Sequence, residues 1–368
     1  MIRRVLMTSD AVTGVWPYTL ELAKALGEHG VEVLLAVMGP APSLERRKQA
    51  SQIPNLKIEH KPFALEWMEN PWADIRLAGD WLLYLEAKWK PEIVHLNHYS
   101  LAVRDFAAPK LVTAHSCACT WHEAVRGSPA PAKWTTYRRR VSEGLASADS
   151  VIASTEWMLN ALERHHGKAP NVEVISIARS PDGFDATRTK DPIVFAAGRV
   201  WDESKNLLML DRAAESLEWP LMIAGGVDAP KRPANTFKNA GLLGDLAPSA
   251  ISDWFARAAI FAHPAKYEPF GLPVLEAAMS GCALVLADLP PLREQWENAA
   301  LYVDPKDTSA WTSTLNRMIG DAAQRTEYSR RALERSRGFA PRNQATDYLT
   351  AYEMMLERTG TPSPLRAS

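Results

Sequence analysis

The stretch Y-E-P-F-G-L-P-V-L-E, from Tyr267 to Glu276, marks a passage from strand to helix. The apolar run Ala259 to His263 comes before it and predicts a buried strand, whereas the residues from Leu272 to Ser280 predict a helix. Gly271 gives the backbone freedom at the turn, and a proline is tolerated in the first helical turn. A strand followed by a loop and a helix is the building unit of a parallel α/β sheet.

The same stretch offers two kinds of polar group at one loop. Backbone N–H groups of Phe270, Gly271 and Leu272 would point out of the helix start, where an anion can be held. The carboxylates of Glu268 and Glu276 can accept hydrogen bonds from hydroxyl groups. The loop therefore suits a ligand with both phosphate and hydroxyl groups, and the alternative is a capped helix with two solvated glutamates.

Short apolar runs alternate with amphipathic runs along the rest of the chain, which predicts two doubly wound Rossmann-like α/β domains. The polar segment Ala178 to Pro192 is the predicted linker, and a ligand site is expected in the cleft between the domains. The predicted strands are Arg4–Thr8, Val31–Val37, Glu92–Leu96, Lys110–Ala114 and Ser150–Ser154, then Ile193–Ala197, Pro220–Ala224, Ala259–His263 and Ala283–Ala287. The predicted helices are Val15–His29, Ile75–Trp89, Ala132–Ser147, Lys205–Leu217, Leu272–Ser280, Ser309–Ile319 and Arg342–Glu357.

Composition narrows the class of protein. The 368 residues have a formal net charge of −1, which favours neither nucleic acid nor an anionic membrane as a partner. Three cysteines argue against a disulfide framework and fit a reducing cytoplasm. The N-terminus is interpreted as a strand and not as a signal peptide, and no apolar run is long enough to span a membrane. We expect a cytoplasmic protein with at most peripheral membrane contact. The basic run Arg138–Arg140 could make such a contact, but a solvated helix face is the better explanation for these three arginines.

A second polar stretch, G-R-V-W-D-E-S-K-N, follows the predicted strand Ile193–Ala197. Arg199 and Lys205 would both lie at the carboxyl end of that strand, near the Glu268 loop. An arginine fork and a lysine ammonium can stabilise a departing diphosphate. The alternative is that Lys205 is a surface residue and that Arg199 pairs with Asp202.

These two stretches resemble the donor site of retaining glycosyltransferases of the family 4 type, which have the GT-B fold. The two glutamates eight positions apart match the family's signature. Three further runs resemble the family's sequence: T-G-V-W (Thr13–Trp16), L-M-I-A-G-G (Leu221–Gly226) and A-A-L-Y-V-D-P-K-D (Ala299–Asp307). The resemblance implies an N-terminal domain of residues 1–178 on the acceptor side, completed by a returning helix in 341–368, and a donor domain of residues 190–340.

The family resemblance also implies roles for particular residues. Arg199 and Lys205 would hold the donor diphosphate, Glu276 would bind the ribose hydroxyls, and Glu268 would face the transferred sugar. The implied catalytic set is His115, Arg199, Lys205 and Glu268. The implied donor-binding set is Gly14, Gly198, Arg199, Lys205, Phe270, Gly271, Leu272 and Glu276. Two departures, Thr13 in place of the family's first glycine and Pro264-Ala265 in place of Pro-Ser, weaken inference about the acceptor.

The resemblance implies an enzyme that moves a hexosyl unit from a nucleotide-diphosphate sugar to an acceptor hydroxyl. A UDP- or GDP-sugar is the expected donor, and a glycan, a lipid-linked sugar or a small molecule is the expected acceptor. Such activity would serve the synthesis of polysaccharide, glycolipid or another glycoconjugate, with no cofactor and no metal. The alternatives are a sugar-nucleotide epimerase of the same fold and a non-catalytic sugar-nucleotide-binding protein.

The stretch T-A-H-S-C-A-C-T-W-H-E, from Thr113 to Glu123, raises a further alternative, a metal-dependent hydrolase. It places Cys117 and Cys119 between His115 and His122. Structural zinc sites more often take ligand pairs from two separated segments, and the sequence nearby has no second pair. We interpret the cysteines as small buried hydrophobes and His115 as the functional residue of this loop.

Overall fold

The computed structural model describes residues 2–226, 237–358 and 360. The chain divides into two compact units. Unit 1 contains Met1–Glu123, Ser128–Ala178 and Pro341–Ser368, and unit 2 contains Ala124–Gly127 and Arg179–Ala340. The division between Ala178 and Arg179 falls in an interval, residues 175–190, that has neither helix nor strand.

Unit 1 is built on a parallel sheet of seven strands in the order β3-β2-β1-β4-β5-β6-β7. Its strands are β1 (Arg4–Asp10), β2 (Glu32–Met38), β3 (Leu56–His60), β4 (Ile93–Leu96), β5 (Lys110–Ala114), β6 (Ser150–Ala153) and β7 (Val172–Val174). Its helices are α1 (Val15–Gly27), α2 (Leu44–Ser51), α3 (Trp72–Trp89), α4 (Ala118–Arg126), α5 (Thr135–Ser147), α6 (Glu156–His166) and α13 (Pro341–Arg358).

Unit 2 is built on a second parallel sheet, of six strands in the order β10-β9-β8-β11-β12-β13. Its strands are β8 (Asp191–Ala197), β9 (Leu221–Ala224), β10 (Gly241–Gly244), β11 (Ala258–His263), β12 (Ala283–Ala287) and β13 (Ala300–Val303). Its helices are α7 (Leu207–Ala213), α8 (Pro248–Arg257), α9 (Leu272–Met279), α10 (Pro290–Trp296), α11 (Thr308–Gly320) and α12 (Ala322–Ser336).

Both sheets have central strands that are apolar and buried on both faces. All six residues of β11 and all five of β12 are buried, which is the pattern expected when helices cover both sides of a parallel sheet. The strand order reverses beside β1 in unit 1 and beside β8 in unit 2. In such sheets the loops at the carboxyl ends of the strands on either side of the reversal form the ligand site.

Three sequence predictions are corrected in detail. The predicted helix Ala132–Ser147 is a short 3₁₀ turn, Ala132–Trp134, followed by α5. The predicted helix Lys205–Leu217 contains only α7, because a 3₁₀ turn over Glu203–Lys205 precedes it and another over Ala214–Ser216 follows it. The stretch after His115, interpreted as a loop, forms α4 from Ala118 onward. Within the described residues, no helix combines the length and the apolar character that crossing a membrane requires.

Candidate functional site

The candidate site of unit 2 lies at the carboxyl ends of two neighbouring strands. Strand β8 pairs with β11 in parallel, so the loops that follow both strands begin at the same edge of the sheet. The loop after β8 carries Arg199 and Lys205, and the loop after β11 carries Glu268. A backbone hydrogen bond joins the two loops, since the Lys266 N–H donates to the Ser204 carbonyl at 2.7 Å.

Lys205 and Glu268 form the centre of this site. The Lys205 Nζ donates to the Glu268 Oε2 at 2.5 Å, and His263 Nε2 lies 2.9 Å from the same oxygen. His263, the last residue of β11, is 2% exposed, and the Lys205 and Glu268 side chains are 17% and 11% exposed. Lys205 is therefore not an ordinary surface lysine. His263 received no role in the sequence analysis, because the last residue of an apolar strand gives no sign of a polar partner.

The charge of Glu268 follows from these contacts. Burial raises the pKa of the carboxyl, but the Lys205 ammonium and the His263 hydrogen bond outweigh burial and hold the pKa well below its ordinary value. Glu268 is consequently a carboxylate across the physiological range, able to accept hydrogen bonds but not to supply a proton.

Arg199 is more exposed than Lys205. Its Nη2 donates to the Asp202 Oδ2 at 2.6 Å, and its guanidinium lies 5.3 Å from the ring centre of Trp201. The alternative pairing considered from sequence, Arg199 with Asp202, is thus the one observed. Because 45% of the Arg199 side chain is exposed, the remaining guanidinium donors can still reach a ligand.

Asn206 holds three loops of the site together, and the sequence analysis gave it no role. Its Nδ2 donates to the Pro264 carbonyl at 3.0 Å and to the Pro305 carbonyl at 2.8 Å. Its backbone is left-handed, with φ of 56°, a conformation that asparagine tolerates better than most residues. The available signal was an asparagine at the second position of the predicted helix Lys205–Leu217, since caps and left-handed turns concentrate near helix starts.

Gly198 and Gly225 allow the backbone after β8 and the backbone after β9 to approach each other closely beside Lys205. A β-carbon at Gly225 would lie 1.8 Å from the Gly198 carbonyl oxygen, so only glycine fits there. A β-carbon at Gly198 would lie 3.2 Å from the Lys205 Cγ. Gly198 thus lets the lysine stem pass tightly over the end of β8.

The start of α9 has the predicted geometry. Gly271 is the N-cap residue with φ of 97°, and its carbonyl accepts from Val274 N–H at 2.9 Å. A β-carbon there would lie 3.1 Å from a Val274 methyl group and 3.3 Å from Glu268 Cγ. The backbone amides of Phe270, Gly271 and Leu272 lie at this turn, where the sequence predicts an anion-binding site. Glu276 lies one turn into the helix, with its Oε1 3.1 Å from Arg179 Nε.

His115, in unit 1, follows β5 and is fixed by neighbouring polar groups. Its Nε2 lies 2.7 Å from Asn97 Oδ1, and Asn97 Nδ2 donates to the Thr8 carbonyl at 2.6 Å. The Tyr18 ring meets the imidazole edge-on at 4.5 Å between ring centres. Burial lowers the pKa of His115 to about 4, although Asp10 opposes the shift, so the imidazole is neutral at physiological pH. A neutral imidazole whose Nε2–H donates to Asn97 leaves Nδ1 as an acceptor.

Gly14 lies in the loop after β1 and caps α1. Asp10 organises this loop, since its Oδ1 accepts from the N–H groups of Val12 and Thr13 at 2.8 and 2.7 Å. The Thr13 hydroxyl donates to Asp10 Oδ2 at 2.8 Å. The threonine that departs from the family's glycine therefore ties the loop to the end of β1.

The four residues that suggested a metal site from sequence do not form one cluster. His115 contacts Asn97, and the His122 ring lies edge-on to Trp121 and Trp134. Instead, His166 at the end of α6 approaches the cysteines, with its Nε2 3.2 Å from Cys117 Sγ.

Family comparisons agree with this geometry. Residues 12–178 match the model of the Glycosyltransferase Family 4, and residues 191–321 match that of the Glycosyl transferases group 1. The two matches cover a large part of each unit, and the second contains Arg199, Lys205, Glu268 and Glu276. The chain belongs to this family of glycosyltransferases, as its sequence indicated.

Relatives and solved structures fit the same class. A D-inositol 3-phosphate glycosyltransferase of Nocardia farcinica is 25% identical over 95% of this chain and 86% of the relative. An O-antigen chain mannosyltransferase B of Escherichia coli is 25% identical over 46% of this chain and 39% of the relative. A sucrose-phosphate synthase from Thermosynechococcus elongatus has a TM-score of 0.80 at 19% identity, covering 97% of this chain and 100% of that one. Anabaena Alr3699/HepE, solved with UDP and glucose, has a TM-score of 0.77 at 15% identity, covering 96% and 100%. The predicted GT-B fold is confirmed.

Proposed function

We propose that this protein is a retaining glycosyltransferase that moves a hexosyl unit from a nucleotide-diphosphate sugar, with UDP or GDP as the nucleotide, to an acceptor hydroxyl. The observation that supports this most is the pairing of Lys205 with Glu268 at the start of α9, beside the partly exposed Arg199. The cations Arg199 and Lys205 suit a diphosphate, and the carboxylates of Glu268 and Glu276 suit sugar hydroxyls. The solved relative Alr3699/HepE, whose complexes contain UDP and UDP-glucose, supports a donor of this chemical class.

Each residue of the site has a separate task in this proposal. Arg199 and Lys205 bind the diphosphate, and the amides of Phe270, Gly271 and Leu272 bind phosphate and sugar oxygens. Glu276 accepts hydrogen bonds from the ribose hydroxyls, and Glu268 from the transferred sugar. Gly14 and Gly198 give backbone access to the donor, and His115 contributes from unit 1 to the transferred sugar.

The transfer exchanges one bond to the anomeric carbon for another. The bond between this carbon and the diphosphate oxygen breaks, and the acceptor oxygen forms the new bond on the same face. The acceptor proton goes to the departing diphosphate. Negative charge grows on the diphosphate as the bond breaks, and the fixed cations stabilise it more strongly than in the ground state. The proposal assigns this stabilisation to protein groups alone, with no cofactor or metal.

The first experiment identifies the donor. Thermal stability is measured with UDP-, GDP-, ADP- and dTDP-sugars, and Glu276→Ala serves as the ribose-contact control. The nucleotide that stabilises the wild-type protein and not this variant is then used with a panel of acceptors, which includes glycans, lipid-linked sugars and small polyols.

The second experiment tests Arg199. Arg199→Ala is expected to lower the transfer rate by about a hundred- to a thousandfold, the usual loss when one charge-stabilising donor is removed. Arg188→Ala is the matched control, since Arg188 is equally exposed at 45% and also pairs with an aspartate, Asp253. Full activity of Arg199→Ala would refute the proposed role of this residue.

Product analysis separates the remaining alternatives. An epimerised sugar nucleotide formed without acceptor would identify an epimerase, and donor binding without turnover would identify a binding protein. We place the enzyme in the cytoplasm, where its three cysteines, none in a disulfide, suit the reducing conditions. Its place there is in glycoconjugate or polysaccharide synthesis, with no nucleic acid partner and at most peripheral membrane contact.

A further inference from the structure

Two cysteines and one histidine of unit 1 converge at a point that the transfer reaction does not use. The ligand atoms of Cys117, Cys119 and His166 all lie within 4.8 Å of one another. Cys117 is 2% exposed and Cys119 is fully buried, whereas His166 is partly exposed and leaves a path from solvent. The histidine is far away in sequence and belongs to α6, so this is the second segment that the sequence analysis did not find.

The surrounding contacts fix these groups in place. The Tyr99 hydroxyl donates to the Ser116 carbonyl at 2.9 Å, and the Ala118 N–H donates to the Tyr137 hydroxyl at 3.3 Å. On the other side, His165 Nε2 lies 2.8 Å from Glu123 Oε2, which joins the end of α6 to α4. The thiols and the imidazole are thus held by elements that do not depend on a ligand.

The imidazole of His166 is oriented as a metal ligand would be. Its Nδ1 lies 2.9 Å from Ser142 Oγ, and its Nε2 faces Cys117 Sγ. Metal-binding histidines almost always use one ring nitrogen for the ion and hydrogen-bond the other to a protein group. When Nδ1–H donates to Ser142, the Nε2 lone pair points at the thiols.

The ligand types and spacing select the ion. Two thiolates and one imidazole suit Zn²⁺ rather than Ca²⁺ or Mg²⁺, which prefer oxygen ligands. Tetrahedral bonds of about 2.3 Å to sulfur and about 2.0 Å to nitrogen place ligand atoms about 3.5 to 4 Å apart. The three ligand atoms lie within 4.8 Å of one another, and the 3.2 Å between Cys117 Sγ and His166 Nε2 needs to lengthen only slightly.

We propose that Cys117, Cys119 and His166 form a zinc site with solvent as the fourth ligand. The ion joins the start of α4 to the end of α6. Because its ligand Cys117 is two residues after His115, the ion also stabilises the loop that carries His115. The ion is separate from the donor site of unit 2. We still expect the transfer reaction to need no metal, as the sequence indicated. The loop that carries Cys117 and Cys119, in contrast, is now proposed to bind one.

Metal content of the full-length chain tests the proposal independently of activity. The protein is purified under reducing conditions, exposed to Zn²⁺, desalted and analysed by mass spectrometry for bound metal. We expect about one zinc per chain in the wild type, and loss of most of it in Cys119→Ser and in His166→Ala. Cys282→Ser and His122→Ala are the matched controls and should keep the ion, because Cys282 is a buried thiol of unit 2 and His122 packs against tryptophans.

Cobalt substitution of the wild-type protein covers the case in which a variant fails to fold. Co²⁺ bound by two thiolates in a tetrahedral site gives an intense sulfur-to-metal charge-transfer band and strong visible bands, both abolished by excess Zn²⁺. Absence of these bands together with substoichiometric zinc would overturn the proposal. Retention of one zinc per chain in Cys119→Ser would overturn it as well. Since donor binding is not read out in either measurement, failure here leaves the proposed transferase function unaffected.

Discussion

At the scale of single residues, the contact between Lys205 and Glu268 combines stability with function. Both side chains are largely buried, and removal of the lysine leaves a buried carboxylate that keeps its contact with His263. Breaking such a pair from one side usually destabilises a protein by about 3–5 kcal/mol, whereas replacing both partners by neutral groups can be nearly neutral. The two effects can therefore be separated by mutation.

We predict that Lys205→Met lowers the free energy of unfolding by about 3 kcal/mol and that Lys205→Met with Glu268→Gln recovers most of this loss. Both variants should nevertheless lose transfer activity, because the double change removes the diphosphate cation and the sugar-facing carboxylate. Urea unfolding and the donor assay check the two parts. A single variant as stable as the wild type would show that Glu268 does not depend on Lys205.

Sequence could identify the charged residues of this site and the pairing of Arg199 with Asp202, but not the partners of Lys205 and Glu268. Arg199, Lys205 and Glu268 stand in polar stretches that follow apolar strands, and Glu276 lies one turn into the next helix, so their positions can be read from the sequence. His263 and Asn206 were missed because their roles depend on contacts between loops distant in sequence. The same limit applied to the cysteines, whose histidine neighbour lies on another helix.

At the scale of secondary-structure elements, a buried polar network attaches α13 to the sheet of unit 1. His95 Nδ1 lies 2.6 Å from the Tyr352 hydroxyl, and its Nε2 lies 2.7 Å from Thr113 Oγ1. The Tyr18 hydroxyl donates to the Tyr348 hydroxyl at 2.7 Å. The network thus joins α1, β4, β5 and α13 through groups that have no access to water.

We predict that Tyr352→Phe destabilises unit 1 by about 1–3 kcal/mol, because it leaves a buried nitrogen of His95 without its partner. Tyr84→Phe is the control, since Tyr84 is 61% exposed and the change should have no effect. Urea unfolding at pH 7.5 measures both. Equal stability of the two variants would show that the hydroxyl contributes nothing to the attachment of α13.

The same histidine predicts the effect of acid on unit 1. Burial, and then repulsion from His115 in its protonated form, lower the pKa of His95 from 6.5 to about 3, so between these pH values the unfolded chain binds a proton that the folded one does not. The contribution of the neutral His95 to the stability of unit 1 is fully present above pH 6.5, and it is lost as the pH falls from 6.5 toward about 3. The lowered pKa of His115 acts in the same direction. The free energy of unfolding should therefore decrease between pH 7 and pH 5 in urea titrations, and a flat or rising value would contradict this.

Prediction of strands from sequence succeeded in the middle of each sheet and failed at the edges. The nine predicted strands are the central strands β1, β2, β4, β5, β6, β8, β9, β11 and β12. The four strands that were missed, β3, β7, β10 and β13, are the outermost strands of the two sheets. Edge strands have one neighbour and less burial, as the exposed middle residues of β3 show, so they lack the continuous apolar run that identified the others.

At the scale of the whole molecule, unit 1 is completed by the C-terminal part of the chain. The chain leaves unit 1 after Ala178 and returns to it at Pro341. Helix α13 then buries apolar residues against unit 1, namely Ala345, Tyr348, Ala351, Tyr352, Met355 and Leu356. The sequence placed this helix correctly from its apolar stripe, but its return to unit 1 was implied by the family resemblance alone. The N-terminal unit is consequently incomplete until the last helix has been synthesised.

We predict that a chain ending at Ala340 loses the stability of unit 1 and keeps that of unit 2. Burial of one tyrosine or methionine side chain is worth about 1.5–3 kcal/mol, so loss of α13 removes much of the net stability of a typical domain. Hydrogen exchange should show that β4 and β5 lose protection, whereas β8 and β11 retain it. A chain ending at Gly360 keeps all of α13 and serves as the control, with wild-type protection expected in both sheets. Equal loss of protection in β4 and β8 would show that the two units fold as one cooperative body, and the separate attachment of α13 to unit 1 would then not explain the stability of the N-terminal sheet.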